Sequence, residues 1–226
     1  MNFLAEEAGL KSFAVSSLQE LEEKITQGAV IVGFSTGVVV PPRILNKASR
    51  AYNFHPGTPL FPGRDPHYWA QEAKASHFGC TLHFMTPKVD AGKILGTRQF
   101  AVRNFSAEEL RIRAEIEMLS LLEDNLSNLY HNQLLPNGED WSGPTRTRSD
   151  FLGSGLEFEA EKPKRFPQMP NREKANSLFF GIRCEQDIAA ALEYYKALMQ
   201  EGNASSFTSK RIKFIENQIQ NRAERN

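Results

Sequence analysis

The sequence predicts an α/β fold with a mostly parallel sheet. Short β-branched apolar runs alternate with amphipathic or turn-rich segments over the first hundred residues, in the order of βα units. The run Ala29-Val-Ile-Val-Gly-Phe34 is apolar on every side, as a strand covered on both faces should be. Prolines and glycines break each run, with Ser35-Thr-Gly37 and Pro41-Pro42 the clearest pair. A chain of 226 residues is long enough for one generous domain of this kind, or one domain with a small appendage.

The elements follow in order. Phe3 to Ala8 reads as the end of a helix capped by Gly9, and Lys11 to Val15 as a short strand. Ser17 to Gln27 places Leu18, Leu21 and Ile25 on one helical face. After the strand 29–34, Pro41-Pro42 open a short helix over Arg43 to Lys47. Tyr52 to His55 is a strand ended by Pro56, and Thr58 to Pro66 is a loop. A helix over Pro66 to Ala75 leads to strands at Gly79 to Phe84 and Lys93 to Val102, joined through the tight loop Lys88 to Gly92. Ser106 and Glu109 form a capping box for a long helix carrying Leu110, Ala114, Met118, Leu121, Leu122 and Leu129 on one face.

After about Leu134 the texture changes, which divides the chain into a main α/β portion over 1–134 and a small α+β extension over 135–226. Residues 136–172 are rich in Pro, Gly and charge, with Gly155 to Ala160 the one clear strand. Glu185 to Gln200 is a helix with Ile188, Leu192, Tyr195 and Met199 inward. A last helix forms around Ile212, Ile215 and Ile219.

Composition narrows the function. The 27 basic residues balance 27 acidic ones, whereas a dedicated nucleic-acid binder carries a strongly basic footprint. The longest apolar stretch falls well short of the roughly 20 residues that span a bilayer. The opening MNFLAEEAGL places acids where a signal peptide needs a basic start. Cys80 and Cys184 lie too far apart to suggest a disulfide framework or a metal cluster. The expectation is a cytoplasmic protein with no membrane partner and no metal.

Chemistry concentrates in four features in order: Asn53-Phe-His55-Pro56, Phe61-Pro-Gly63, Gly79-Cys-Thr81-Leu-His83 and Asp90-Ala-Gly92. At the carboxyl ends of sheet strands, Asn53, His55 and Asp90 can meet in one crevice. A carboxylate beside an imidazole makes a tunable proton carrier, and a carboxamide can donate to an oxyanion without titrating. Such a set suits attack of an amine on a carbonyl. Taken singly, a His-Pro at a strand end or an Asp-x-Gly is an ordinary turn, and His67, His77 and His131 carry no functional signal of their own.

The ordered set resembles the catalytic core of the folate-dependent formyltransferases, over about residues 1–130. Those enzymes include glycinamide ribonucleotide, methionyl-tRNA and nucleotide-sugar N-formyltransferases. The resemblance implies a Rossmann-like formyltransferase fold and a one-carbon transferase that draws on N10-formyltetrahydrofolate. It implies that Asn53 donates to the formyl oxygen, that His55 moves a proton and steadies the oxyanion, and that Asp90 holds His55 and relays the amine proton. The pterin would lie against backbone of Gly37, Val38, Val39 and Val40 and the loop around Val89, with His83 as support behind the catalytic loop. The acceptor implied is a small-molecule amine, most specifically an amino sugar, free or nucleotide-linked. Alternatives are a methionyl-tRNA or glycinamide ribonucleotide enzyme, a formyltetrahydrofolate hydrolase and a non-catalytic folate-binding remnant.

Three departures from the pattern accompany the resemblance. Relatives usually begin with a strand, a turn, a helix and a second strand before the Leu-Ala-Glu-Glu-Ala-Gly-like helix end at which this sequence starts. The fold is therefore expected to be N-terminally incomplete. An apolar strand edge would then be open to a partner, a homodimer included. Gly57-Thr-Pro-Leu60 replaces the Ser-Leu-Leu-Pro of many relatives. Too little chain follows for a tRNA-holding barrel, while Arg146 and Arg148 could meet a sugar-linked diphosphate and Trp141 could stack on a base or pack in its loop.

Overall fold

The computed structural model describes residues 9–156, 170–180 and 186–223. The chain divides into two compact units, Met1–Pro167 and Gln168–Asn226. The boundary therefore falls later than the expected one after Leu134. Residues beyond 134 belong to the first unit because Trp141, Arg146 and Phe151 are built into it: the Trp141 indole bonds to Gly92, Arg146 pairs with Gly63, and Phe151 is buried in its core.

The first unit runs α1 (Leu18–Lys24), β1 (Val30–Phe34), α2 (Pro42–Leu45), β2 (Arg50–His55), α3 (Pro66–Glu72), β3 (His77–Phe84), β4 (Ile94–Ala101), α4 (Ala107–Tyr130) and α5 (Arg148–Gly153). The four described strands lie in the order β1-β2-β3-β4. Only β1 and β2 are parallel; β2–β3 and β3–β4 are antiparallel. The expectation of a mostly parallel sheet is thus corrected for these strands. The link from Phe84 to Ile94 is far too short for a crossover, so β4 must run back along β3.

Capping chemistry sets the helices. The Ser17 hydroxyl accepts from the Glu20 backbone at the start of α1, and Ser106 and Glu109 form the full reciprocal box on α4. A second box, Thr147 with Asp150, starts α5, a helix inside the stretch rich in Pro, Gly and charge. Lys11 to Val15 is not a strand; Lys11, Phe13, Ala14 and Val15 are exposed, and the segment pairs with none of the described strands. The helix expected before Gly9 and most of the strand expected over 155–160 lie outside the described residues. Gly155 and Leu156 themselves are not in a strand.

Two apolar clusters position the site from below. Phe61, Tyr68, Trp69, Phe78, Leu110 and Phe151 pack α3, α4, α5 and β3 together. Ile31, Val40 and Ile44 join Leu18, Leu21 and Ile25 on one face of β1. The other face of β1, carrying Val30, Val32 and Phe34, is half-buried, so the strand is covered less evenly than its composition suggested.

The second unit holds α6 (Asn171–Phe180), α7 (Ile188–Gln200) and α8 (Ser206–Ala223). Its centre is the buried Arg211, whose guanidinium donates to Asn176 Oδ1 at 2.8 Å and Tyr195 Oη at 3.2 Å and lies 4.8 Å from the Phe180 ring centre. On α7 the inward residues are Ala191, Leu192, Tyr195 and Leu198. Met199, expected inward, is 49% exposed because the buried stripe follows Leu198 one position earlier. Among the described residues no helix is long and apolar enough to cross a membrane.

Candidate active site

Polar residues alternate along two neighbouring strands: Asn53 and His55 on β2, Thr81 and His83 on β3. Register places Asn53 opposite His83 and His55 opposite Thr81. A period of two puts all four on one face of the sheet. Pro56 ends β2 directly after His55, so the imidazole stands at the strand's carboxyl end. β3 is bulged against β4 between Leu82 and His83, and bulges re-aim side chains. Asp90 arrives from the loop after β3 in the left-handed conformation (φ 43°), which Asp tolerates better than most residues.

These placements converge on the Asp90 carboxylate. Its Oδ2 lies 3.1 Å from His55 Nδ1 and accepts from the Gly63 backbone N–H at 2.7 Å. Its Oδ1 lies 3.2 Å from His83 Nε2 and accepts from Asn53 Nδ2 at 3.4 Å. Asn53 Nδ2 also lies 3.1 Å from His83 Nε2. His55 Nε2 faces the Phe61 carbonyl at 2.9 Å, and His83 Nδ1 faces the Phe84 carbonyl at 2.8 Å. All three residues singled out from the sequence therefore meet in one cluster.

His83 proves to be a direct contact of both Asn53 and Asp90 rather than a support behind them. The signal that finds it is the matched pair of polar residues two apart in adjacent strands. Thr81 adds a prop: its hydroxyl donates to the Gly57 carbonyl at 2.8 Å, holding the turn beneath His55.

Proton accounting explains what the cluster can do. Both nitrogens of His55 face oxygen acceptors, yet a neutral imidazole has one N–H. The ring gains a hydrogen bond by taking a second proton. Burial pulls its pKa below the ordinary imidazole value, against the opposing pull of Asp90 and the Phe61 carbonyl. Burial alone would raise the Asp90 carboxyl, but His55, His83 and the Gly63 N–H outweigh it and hold the group below its ordinary value. The result is an anion beside a neutral ring poised to accept a proton. Cys80, deep in β3, plays no part of this kind, since burial pushes its thiol far up.

The residues expected to meet a folate lie on two loops. Gly37 and Val39 are exposed, Val38 is half-buried and Val40 is buried in the β1 cluster. Among the described residues the backbone groups of Gly37, Val39 and Val40 bond to no other part of the protein, while Val38 N–H donates to Thr36 Oγ1. Val89, 44% exposed, adjoins Asp90. This segment leaves β1 beside Asn53, because Gly33 and Asn53 are register partners. No group of His, Cys, Asp and Glu among the described residues could hold a metal ion. Trp141 turns its ring toward the imidazoles, and Arg146 lies over Trp69 with 4.5 Å between guanidinium and ring centre. Arg148 is exposed at the start of α5; His67 is buried 3.9 Å from Glu108, and His77 and His131 are exposed.

Comparison with known proteins follows from this geometry. A family model described as formyl transferase matches residues 3–117, just over half of the chain. No curated protein sequence matches. Among solved structures, a sugar N-formyltransferase from a Shewanella species is 22% identical, covering 76% of this chain and 69% of that one with a TM-score of 0.55. A 4-N formyltransferase from Francisella tularensis is 18% identical (78% and 70% covered, TM-score 0.53). An N-formyltransferase from Helicobacter canadensis, solved with folinic acid and dTDP-3-aminofucose, is 19% identical at a TM-score of 0.52. That match covers 65% of this chain, which spans 53% of the Helicobacter protein's length. These likenesses establish the fold.

Proposed function

The chain belongs to the formyl transferase family, whose members move a one-carbon group, and on that premise we propose that it carries a formyl group from N10-formyltetrahydrofolate to the primary amine of an amino sugar, free or nucleotide-linked. The single observation that carries the reading is the convergence of Asn53, His55 and Asp90 within hydrogen-bond range around one carboxylate.

Each residue has a task that its surroundings suit. Asn53 is the half-buried, least enclosed member of the set, and its bond to Asp90 at 3.4 Å is the longer of its two contacts. A formyl oxygen takes over that N–H as negative charge develops on it, while His83 keeps the amide oriented. His55 accepts the proton shed by the attacking amine, gaining the hydrogen bond it lacks at rest, and that proton is passed on to N10 of the folate as the bond between N10 and the formyl carbon breaks. Asp90 stays ionised, fixes the ring and stabilises the imidazolium so formed. When bound, the folate supplies a formyl group already activated for transfer to nitrogen. The free backbone groups of Gly37, Val39 and Val40 and the exposed valines Val39 and Val89 suit a flat, hydrogen-bonding heterocycle. The choice of amino sugar is supported by the Shewanella and Helicobacter structures and by the exposed Arg148, which could meet a diphosphate.

The test is incubation with N10-formyltetrahydrofolate and a panel of amines: nucleotide-linked amino sugars, free amino sugars, glycinamide ribonucleotide and methionyl-tRNA. Formylation of an amino sugar is expected. Formate release without an amine would instead make the protein a hydrolase, and folate binding with no product under any acceptor would make it a binding module.

A further inference from the structure

The segment between α4 and α5 does more than connect them. Its backbone is pinned along the rim of the site: Asn137 N–H donates to the Ile94 carbonyl, Ser142 N–H to Pro59, and Arg146 N–H to Pro62, at 3.0, 3.0 and 2.9 Å. Arg64 N–H returns a bond to the Arg146 carbonyl at 2.8 Å. At Gly143 the strap presses so close to the 58–63 loop that a Cβ would stand 1.7 Å from the Leu60 carbonyl oxygen.

We propose that Trp141, carried by this strap, is a positioning residue that fixes the two imidazoles sharing Asp90 and keeps water from them. The proposal rests on the reading of that cluster as the formyl-transfer centre. One side chain meets both rings and the loop that carries Asp90. The indole ring centre lies 5.0 Å from that of His83 and 5.7 Å from that of His55, at interplanar angles of 86° and 72°. These are edge-to-face contacts, which restrict ring rotation as well as fill space. The indole N–H donates to the Gly92 carbonyl at 2.8 Å, so the ring is tied to the same loop that presents Asp90.

Exposure shows which side of the cluster the indole guards. The side chains of His55, His83 and Asp90 are 4%, 3% and 5% exposed, whereas Trp141 is half-buried between exposed Asp140 and Ser142. Trp141 is thus a layer between the rings and bulk water. Desolvation of His55 depends on that layer. The titratable groups facing His55 are Asp90, from the loop after β3, and His83 from β3.

The experiment compares Trp141→Ala, Trp141→Leu and Trp141→Phe with the wild type. The His55 ring is titrated by NMR, with its signal assigned through His55→Gln, and kcat and KM for formyl transfer are measured across pH. In Trp141→Ala, water reaching the ring should move the His55 midpoint upward by about one pH unit. The acid limb of kcat should move with it, and kcat should fall about tenfold or more with KM little changed. Leu, with bulk but no ring, should shift the midpoint in the same direction; Phe should restore most of the wild-type behaviour. If Ala does not fold, the contrast between Leu and Phe decides. An unmoved His55 midpoint in both Ala and Leu overturns the proposal, and so does a rise in KM alone. Titration needs no substrate, so a wild-type protein inactive on every acceptor would refute the proposed reaction while leaving this inference to be judged on the His55 shift.

Discussion

Gly33→Ala tests whether the placement of Asn53 sets the rate. Gly33 lies beside Asn53 in the parallel ladder, and its φ is not in the left-handed region, so alanine suits the backbone. The added Cβ would stand 2.7 Å from Asn53 Oδ1, 2.6 Å from Met85 Cε and 3.2 Å from Thr36 Cγ2. Ordinary contact begins at 3.4 Å, so the carboxamide must retreat by about 0.7 Å. Its bonds to His83 and Asp90, at 3.1 and 3.4 Å, have no slack for such a move. A displacement of this size should lower kcat by roughly 25-fold, scaling from the ~10²-fold cost of a 1 Å misplacement. Stability should fall by only about 1 kcal/mol, the low end for overpacking, since Met85 Cε is the far end of a flexible side chain. The assay is kcat with N10-formyltetrahydrofolate and the best acceptor, beside thermal unfolding. Gly153→Ala, where nothing lies within 4 Å, is the control expected to keep full activity. A Gly33→Ala enzyme with wild-type kcat would refute the reasoning, for it would mean that Asn53 need not sit where it does.

Other outcomes follow from the same geometry. Asp90→Asn removes the charge that two imidazoles and an N–H share; kcat should drop by about 10²- to 10⁴-fold, and purified-enzyme kinetics with a folding check would show it. Because the His55 pKa lies below its ordinary value of 6.5, the ring stays neutral under mildly acidic conditions, so activity should decline only as pH falls through that lower value. Stability should also weaken on the acid side. Below 6.5 the unfolded chain takes up a proton on His55 that the folded protein refuses, and lower still, Asp90's contribution is lost as pH falls through its depressed pKa, below 3.8. Thermal unfolding against pH, with His55→Gln for comparison, would measure the first part. Ser106→Ala should cost about 0.5–2 kcal/mol by opening the box on α4, while Phe151→Ala should cost about 3–5 kcal/mol; denaturant titration would separate the two.

How much of this was legible beforehand differs by the range of the interactions. Local chemistry was readable: the Ser106–Glu109 box, the end of β2 at Pro56, and the three residues at the centre of the cluster. Direction of strand pairing was less so, since the apolar composition of β3 says that it is buried without saying which way it runs. Lys11–Val15 has strand-like residues but no described neighbour, and strand propensity without a ladder decides little. The contact of His83 with Asn53 depends on the register of β2 against β3, which residue types show only as a matched alternation. Met199 and Leu198 are adjacent and equally apolar, so only the packing of the helix could choose between them.

The strap that carries Trp141 also has a temporal meaning. The indole's bond to Gly92 joins residues 49 apart, and its contact with His55 reaches further back still. Such closures cost more chain entropy than the turns and hairpin beneath them, and they gain nothing until both ends are in place. All four described strands precede residue 141 in the chain, so the residues of the sheet leave the ribosome before the tryptophan that lies against its two imidazoles.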